Sequence, residues 1–402
     1  MRALLLALAA LAVPASAQTP NTLTVRNALA LVERAHPLVQ ASQDMAASRE
    51  AAAGGVTAWA APTLGYAMEG IGADGSFEQR VVAGIEVGPA SLARAERQRL
   101  TAEARAFGFD AEATRRALRA RVVAAYVDLG IADSLVALRR EAVGLADSLV
   151  LVAQIREESG EGAGLETLRA ELEAEQARAT LAAAVGQREA ARAAATASPG
   201  LRLDGAAAVA PPLALPDALP ATEATPSPVV AAAGARVEAA QTSADAARAS
   251  RRPVWSAEVF PQHFGGSSFG AGVQVGVRLP LGQGRIVASR VGAAEAARQS
   301  AEATRDGLAA ERMASVTAAE VRVWSARAAL DAARGAPIER GEALLALALR
   351  GYQLGEVTQP MLLDTRRALL SAREVGLDAF REALLAVVAW ERASGARLLF
   401  AD

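Results

Sequence analysis

The sequence contains no cysteine, no lysine and only two histidines. Without cysteine, the chain can form neither a disulfide bond nor the lipid-modified N-terminal cysteine of a bacterial lipoprotein. Without lysine, the glycine-rich segments 270–272 and 282–284 lack the cation that a phosphate-binding loop supplies. His36 and His263 lie too far apart in the chain to indicate a metal centre. The two repeats place no histidine or lysine base near a serine nucleophile either. We therefore expect no cofactor, no bound metal and no enzymatic activity.

Aromatic residues and long apolar runs are also scarce. Aromatic residues make up 4% of the chain, although 52% of its residues are hydrophobic and alanine is the commonest of them. Beyond the N-terminal segment no stretch reaches about 18 uninterrupted apolar residues, so we expect no membrane-spanning helix. The 42 basic residues nearly balance the 44 acidic ones. This balance gives no reason to expect a nucleic-acid partner.

The N-terminal segment 1–17 has the features of a secretory signal peptide. Arg2 supplies a positive charge, Leu4 to Val13 form an apolar run, and Ala15-Ser16-Ala17 is a small-residue cleavage site. We therefore expect the mature protein to be exported, and we do not expect a lipoprotein.

The segment 269–279 alternates between apolar and polar or glycine residues. A glycine-rich polar side is typical of the lumen of a barrel whose outer surface contacts lipid, and about 11 residues is the length of a tilted membrane-spanning strand. The alternative is a half-buried strand in a soluble sheet. The candidate lumen residues on the polar side are Gln274 and Arg278.

A second segment, 77–88, has the same alternation and is likewise followed by a proline and a helix. Pro89 and Pro280 end the two strands, about 191 residues apart. The polar side of this strand adds Glu78, Arg80 and Glu86 to the candidate lumen residues. A fixed internal spacing indicates that one architecture is built twice.

The chain therefore divides into two structural repeats, 18–198 and 229–402, joined by a proline- and alanine-rich connector at 199–228. The connector is predicted to be neither helix nor central strand. Shorter alternating segments complete a two-stranded hairpin in each repeat. The predicted strands are 62–71 and 77–88 in the first repeat, and 253–262 and 269–279 in the second.

Each hairpin leads into a pair of long antiparallel helices. Residues 90–158 contain nothing that would end a helix, and apolar residues from Ile131 to Val152 recur at alternating spacings of four and three, which is typical of a coiled-coil seam. A glycine-rich break at 159–164 precedes a return helix, which we expect to begin with Leu165, Leu168, Leu172 and Ala179. The result would be two antiparallel coiled helices. The second long helix, 285–352, is predicted to kink or break at 335–337.

Four strands are too few to close a barrel, because the smallest bacterial barrels have about eight. Three copies of the chain would supply 12 strands and 12 long helices, enough for an open lumen and a continuing helical tube. The predicted fold class is therefore mainly α with a small β part, assembled as a trimer with a 12-stranded β-barrel and an α-helical barrel. A periplasmic coiled-coil scaffold or adaptor without a pore is the alternative.

Three groups of residues resemble the TolC-like outer-membrane efflux family, in particular its heavy-metal and multidrug branches. They are Leu23–Leu29 with His36-Pro37, Val277–Leu281, and Arg350–Glu356 followed by Leu362–Asp364. The resemblance implies a homotrimeric outer-membrane channel with a periplasmic helical extension. It also implies a periplasmic adaptor, an inner-membrane pump and outer-membrane lipid as partners. The cargo would be metal ions or small toxic molecules, with a type I protein-secretion duct as an alternative.

The resemblance also identifies candidates for the periplasmic entrance. Asp364 occupies a position at which relatives carry an entrance carboxylate, and Met361 stands where they often carry a second acid. A three-fold axis would turn Asp364 into a ring that favours cations. An exposed carboxylate paired with Arg366 or Arg367 is the alternative. Tyr352 and Gly355 are the remaining entrance candidates, although an aromatic packed over a glycine turn would explain both equally well.

Overall fold

The structure is a computed structural model, and it describes residues 21–69, 78–160, 163–201, 205–220, 227–264, 268–279 and 284–400. The predicted signal peptide, 1–17, lies outside the described residues. Each predicted hairpin has one turn between its strands, and most residues of these two turns also lie outside the described residues.

Helices form most of the described chain, which confirms the predicted mainly α fold class. They are α1 (Val25–Ala35), α2 (Pro37–Gly55), α3 (Ala90–Glu158), α4 (Gly164–Ala197), α5 (Pro228–Ala249), α6 (Gly284–Arg334), α7 (Ala336–Gln353) and α8 (Gln359–Ser394). The break between α6 and α7 lies at Gly335, two residues before Pro337, as the sequence predicts. Within the described ranges, none of these helices is both long and apolar enough to cross a membrane.

The strands form one four-stranded and one two-stranded sheet. They are β1 (Asn21–Leu23), β2 (Thr63–Glu69), β3 (Glu78–Val87), β4 (Ala206–Ala208), β5 (Val254–Phe264) and β6 (Ser268–Arg278). The large sheet has the order β2-β3-β5-β6 and is antiparallel throughout. The two hairpins, β2-β3 and β5-β6, therefore join through the pair β3-β5. The outer strands β2 and β6 each keep one edge unpaired within this sheet.

The chain packs into two compact units. Unit 1 contains the segment ending at Leu31 together with Arg121–Leu215 and Leu330–Glu382, and unit 2 contains Val32–Ala120, Pro216–Ala329 and the segment from Ala383. Each unit takes segments from both sequence repeats. Tertiary packing therefore joins the repeats instead of separating them.

In unit 1, α3 and α4 pack through alanines. Ala146 of α3 lies against Ala174 and Ala177 of α4, with Val143 and Val150 at the margin. The predicted return helix is confirmed as α4, but its Leu165, Leu168 and Leu172 lie outside this contact and are 59%, 64% and 59% exposed. Small side chains allow the two helices to approach closely, and this leaves the leucines on the outer face of α4.

Unit 1 also contains a short parallel pair that the sequence analysis missed. Leu23, the first residue of the segment that carries the family resemblance, ends β1, which pairs with β4 inside the connector. The hydroxyl of Tyr126, a fully buried residue of α3, donates a hydrogen bond of 2.8 Å to the carbonyl of Leu23. Further along the connector, Leu213 packs against Gly130 of α3, where an added Cβ would lie 2.7 Å from the leucine. The connector is therefore held against α3 by specific contacts.

In unit 2, the chain after α8 folds back onto the helices. The buried Glu391 carboxylate accepts a hydrogen bond of 2.6 Å from the Leu399 amide, and Arg119 of α3 donates one of 3.0 Å to the Leu399 carbonyl. Burial raises the pKa of Glu391, while the two backbone amides at Leu398 and Leu399 act against this rise. Trp390 beside it is fully buried.

Candidate functional site

The turn between α7 and α8 belongs to unit 1 and depends on two glycines. Gly355 has a φ of 76°, a left-handed conformation that favours glycine. The amides of Glu356 and Val357 both donate to the carbonyl of Gly351, at 2.8 and 3.1 Å. The Val357 side chain lies 2.5 Å from the place where a Cβ on Gly351 would be. The turn therefore has one tightly defined shape, and Gly355 contributes to it through its backbone.

Tyr352 is buried at the end of α7, with only 3% of its surface exposed. Its hydroxyl lies 3.4 Å from the Glu166 carboxylate of α4, and the Arg156 guanidinium of α3 lies 5.1 Å from the centre of its ring. Arg156 also donates to the Tyr352 carbonyl at 3.1 Å. Burial and then the charge of Glu166 raise the pKa of Tyr352, and Arg156 opposes them. Tyr352 therefore connects α7 to both α3 and α4.

Apolar contacts and one amide support this connection. Gln359, the first residue of α8, donates a hydrogen bond of 2.6 Å to the carbonyl of Glu166. Tyr352 belongs to a buried cluster formed by three helices, whose other members are Leu149, Ala348, Leu362 and Leu363. The interpretation of Tyr352 as an aromatic packed near a glycine turn agrees with this geometry, and any role in gating stays a prediction.

Asp364 and Met361 lie on the exposed side of α8, three residues apart and thus on one face of the helix. The Asp364 side chain is 74% exposed, and its carboxylate lies 3.5 Å from the Arg367 guanidinium. Arg367 also binds the carboxylate of Glu173 in α4. Met361 is 58% exposed. The carboxylate of Asp364 is thus open to solvent and shares its basic partner with a second acid.

Arg366, which the sequence analysis considered only as a partner for Asp364, is instead buried, with 3% of its surface exposed. Its Nη2 donates to the Ala142 carbonyl of α3. Its Nε and Nη1 have no hydrogen-bond partner in the described part of the protein. Burial lowers the pKa of its guanidinium, and the charge of Asp147 opposes this. Arg366 lies three and four residues after the buried Leu363 and Leu362, a spacing that could have revealed its core position.

The candidate lumen residues lie in unit 2, on the polar face of the four-stranded sheet. Arg278 of β6 forms an ion pair of 2.6 Å with Glu86 of β3. Gln274 is exposed, and the Arg80 guanidinium lies 5.5 Å from the centre of the Phe260 ring. The backbone register places Glu78 opposite Glu69, and the side chain of Glu78 lies outside the described structure. The structure therefore brings Glu86 and Arg278 into contact across β5.

Glycines on this face make room for side chains of the neighbouring β5. An added Cβ on Gly272 would lie 2.4 Å from the Phe260 ring, and one on Gly276 would lie 2.6 Å from the Ser256 hydroxyl. An added Cβ on Gly84 would lie 3.1 Å from Glu258. The glycine pattern that indicated a lumen therefore also has a packing cause within the sheet.

The opposite face of the sheet is apolar and open. Residues of all four strands contribute large side chains that are between 42% and 79% exposed, namely Leu64, Tyr66, Val81, Trp255, Val259, Val273, Val275 and Val277. An exposed apolar face of this extent is typical of a surface that contacts lipid or another protein. In the described residues no group of three His, Asp or Glu side chains could hold a metal ion.

Comparisons with known proteins agree on one fold. The model of the outer membrane efflux protein family matches residues 220–396. A membrane protein from Pseudomonas aeruginosa is 20% identical, with 92% of this chain and 93% of that one covered, at a TM-score of 0.75. The outer membrane protein VceC from Vibrio cholerae is 16% identical, with 92% and 96% covered, also at 0.75.

A third structure is named as a channel. The open state of the MtrE outer membrane channel of Neisseria gonorrhoeae is 17% identical, with 92% of this chain and 88% of that one covered, at a TM-score of 0.70. No curated protein matches the sequence. The predicted resemblance is confirmed: the chain has the fold of the TolC-like outer-membrane efflux channels, and residues 220–396 match the outer membrane efflux protein family.

Proposed function

We propose that the protein is the outer-membrane exit duct of a tripartite efflux system and works as a homotrimer. The four-stranded sheet carries this proposal, because it combines an exposed apolar face, a polar face and two unpaired edges. In lipid, each unpaired backbone group costs several kcal/mol, which favours closure with further copies. Three sheets give 12 strands, and the edge β6 of one copy would pair with β2 of the next.

The duct passes cargo without chemistry of its own. A periplasmic adaptor and an inner-membrane pump would deliver metal ions or small toxic molecules to it, and the pump would select the cargo. The proposed chain organisation is a signal peptide at 1–17 and two efflux repeats, 18–198 and 229–402, around the connector 199–228. In the barrel, Gln274, Arg278, Glu78, Arg80 and Glu86 would face the lumen. Their mixture of both charges favours wide polar passage over strong ion selection.

Asp364 is the proposed selectivity residue of the entrance. Each copy would contribute Asp364, Arg367 and Glu173, which together carry one net negative charge because the arginine is shared by the two acids. Repeated around a three-fold axis, this charge would favour cations. Met361 beside it would narrow the entrance without adding charge. Tyr352 and Gly355 would shape the turn that holds this part of α8.

Single-channel conductance in a planar bilayer tests the proposal. We expect cation-preferring openings from the wild type and loss of that preference in Asp364→Asn. Asp378→Asn is the matched control, since Asp378 is another exposed carboxylate of α8 in unit 1. If Asp364→Asn conducts with unchanged selectivity, the protein is still a duct, but Asp364 is not its selectivity residue. Absence of openings from folded, inserted trimer under all voltages would contradict the duct.

A further inference from the structure

Two tryptophans lie in one row across the end of the sheet that adjoins the helices. Trp59 pairs with Val87 of β3, Val87 pairs with Trp255 of β5, and Trp255 pairs with Val277 of β6. Directly opposed residues of paired strands share a face, so both indole rings lie on the apolar face. Trp59 is 61% exposed and Trp255 is 55% exposed. The row is therefore an open aromatic band at one edge of the apolar face.

The backbone fixes Trp59 in this row. The Gly88 amide donates to the Ala58 carbonyl at 2.7 Å, and the Ala60 amide donates to the Glu86 carbonyl at 2.8 Å. Arg97 of α3 adds a hydrogen bond of 2.8 Å to the carbonyl of Val56. Because hydrogen bonds hold the residues on both sides of Trp59, its position beside β3 is fixed. This placement needs a cause, because 61% of the residue is exposed.

Two arginines lie close to Trp255 in the sequence. Arg251 and Arg252 follow the end of α5 and precede Trp255 by four and three residues, and both are exposed. Their amides bond back to the carbonyls of Arg248 and Ala249, at 3.3 and 3.0 Å, so the turn is ordered. Neither guanidinium has an ion-pair or hydrogen-bond partner within the described residues. Glu86, which precedes Val87 of the row, is already paired with Arg278.

We propose that the band formed by Trp59, Trp255, Arg251 and Arg252 binds the headgroups of anionic phospholipids at the periplasmic boundary of the outer membrane. Indole rings are stable at headgroup depth because one side is apolar and the N–H needs a polar partner. Free guanidinium groups beside them match the phosphate geometry. This inference rests on the proposed function, since it requires the sheet to be in a membrane. Aromatic girdles at headgroup depth are common to outer-membrane barrels, and what the inference adds is a lipid preference.

Fluorescence quenching by brominated lipids tests the band. The protein is reconstituted in phosphatidylcholine vesicles with and without phosphatidylglycerol, and the bromines are placed either near the headgroup or deep in the acyl chain. The emission of the band is the difference between the wild type and the double variant Trp59→Phe/Trp255→Phe. We expect headgroup-side bromines to quench it most. Trp324, which is exposed 40 residues after the start of α6, supplies the control emission and should not be quenched by either lipid.

A second comparison tests the lipid preference. Brominated phosphatidylglycerol should be enriched over brominated phosphatidylcholine around the band by about fivefold for each arginine, and Arg251→Gln/Arg252→Gln should remove this enrichment. Arg340→Gln/Arg350→Gln, which changes two exposed arginines of unit 1, should not. Inorganic phosphate in solution should compete only weakly. Equal association of both lipids, or enrichment that survives Arg251→Gln/Arg252→Gln, would overturn the preference.

The variant Val275→Trp separates failure of the band from failure of the proposed function. Val275 is 69% exposed and lies two residues further into β6 than Val277 of the row, so its tryptophan should be quenched more by deep bromines than the band is, if the sheet spans lipid. Deep quenching there, with no headgroup-side quenching of Trp59 and Trp255, would refute the band alone. Absence of lipid quenching at Val275→Trp in folded protein would refute the membrane location itself.

Discussion

The four-stranded sheet and the α7–α8 turn region place their apolar side chains in opposite ways. In the sheet, valines, leucines and aromatic rings of one face are exposed, and the other face carries polar residues over glycines. Around the turn, Leu362 and Tyr352 are buried, and Met361 and Asp364 point outward. The turn region buries its apolar side chains, as a protein in water does. The sheet exposes its apolar side chains, as a surface that contacts lipid does. The same kind of substitution should therefore change the stability of the two regions differently.

A charge on the apolar face of the sheet should have the largest effect. Val275→Arg places a guanidinium where we expect lipid, which costs about 2 to 4 kcal/mol at mid-membrane depth. Gln274→Arg makes the same change one residue earlier, on the polar face, and should be tolerated. The measurement is the folded fraction in outer membranes, read from heat-modifiable migration on gels. Equal loss for both variants would contradict the assignment of the two faces.

A methyl group under the Phe260 ring should have the next largest effect. Gly272→Ala puts a carbon 2.4 Å from the ring and should destabilise the sheet by about 1 to 3 kcal/mol through overpacking. Gly65→Ala on β2 is the control, because a Cβ there meets nothing within 4 Å. Urea unfolding in detergent compares the two variants. If Gly272→Ala is as stable as the control, the glycines on this face serve only the lumen.

In the turn region, removal of a buried charge should stabilise the protein. Arg366→Met keeps the length of the side chain and removes two donors that lack partners, so the free energy of unfolding should rise by about 1 kcal/mol. Arg367→Met is the comparison, since an exposed ion pair contributes at most about 1 kcal/mol. Thermal unfolding measures both. A large loss in Arg366→Met would show that its guanidinium is well bonded in the assembled protein.

The last expected effect concerns Tyr126, and it is absent at neutral pH because it is confined to high pH. Burial raises the pKa of Tyr126 from 10.0 to about 12. The folded state thus holds the phenolic proton more tightly than the unfolded state, and this stability is present below pH 10.0 and is lost as the pH rises toward about 12. Unfolding free energies of wild type and Tyr126→Phe should therefore converge over this interval. Parallel pH profiles would show that the hydroxyl is not buried in solution.

Periodicity predicted the regular parts of the fold well. The alternation of β3 and β6 and the uninterrupted run of α3 are strong repeating signals, and the described elements follow them closely. The pair β1 and β4 could not be predicted, because strands of three residues are too short to show a period and β4 consists of three alanines. Likewise, the apolar spacing of Leu165, Leu168 and Leu172 does not say which face of α4 meets α3, a choice that the smaller alanines decide.

The candidate site was predictable only in part. The resemblance pointed to Asp364 and Met361, and both are exposed on α8 as an entrance residue must be. It did not indicate that Arg367 is shared with Glu173 or that Arg366 is buried. Such contacts depend on side chains from α3 and α4, far away in sequence. The local sequence therefore identified the candidate residues, but it could not identify the side chains that they contact.

Cross-linking of the two outer strands tests the trimeric barrel most directly. Because the chain has no cysteine, Leu64→Cys in β2 can be combined with Val273→Cys, Val275→Cys or Val277→Cys in β6 without background reaction. If β6 of one copy pairs with β2 of the next, at least one combination should give an oxidised product that ends at three chains and disappears on reduction. Products that end at two chains, or monomeric protein that is folded in the membrane for every combination, would contradict the account.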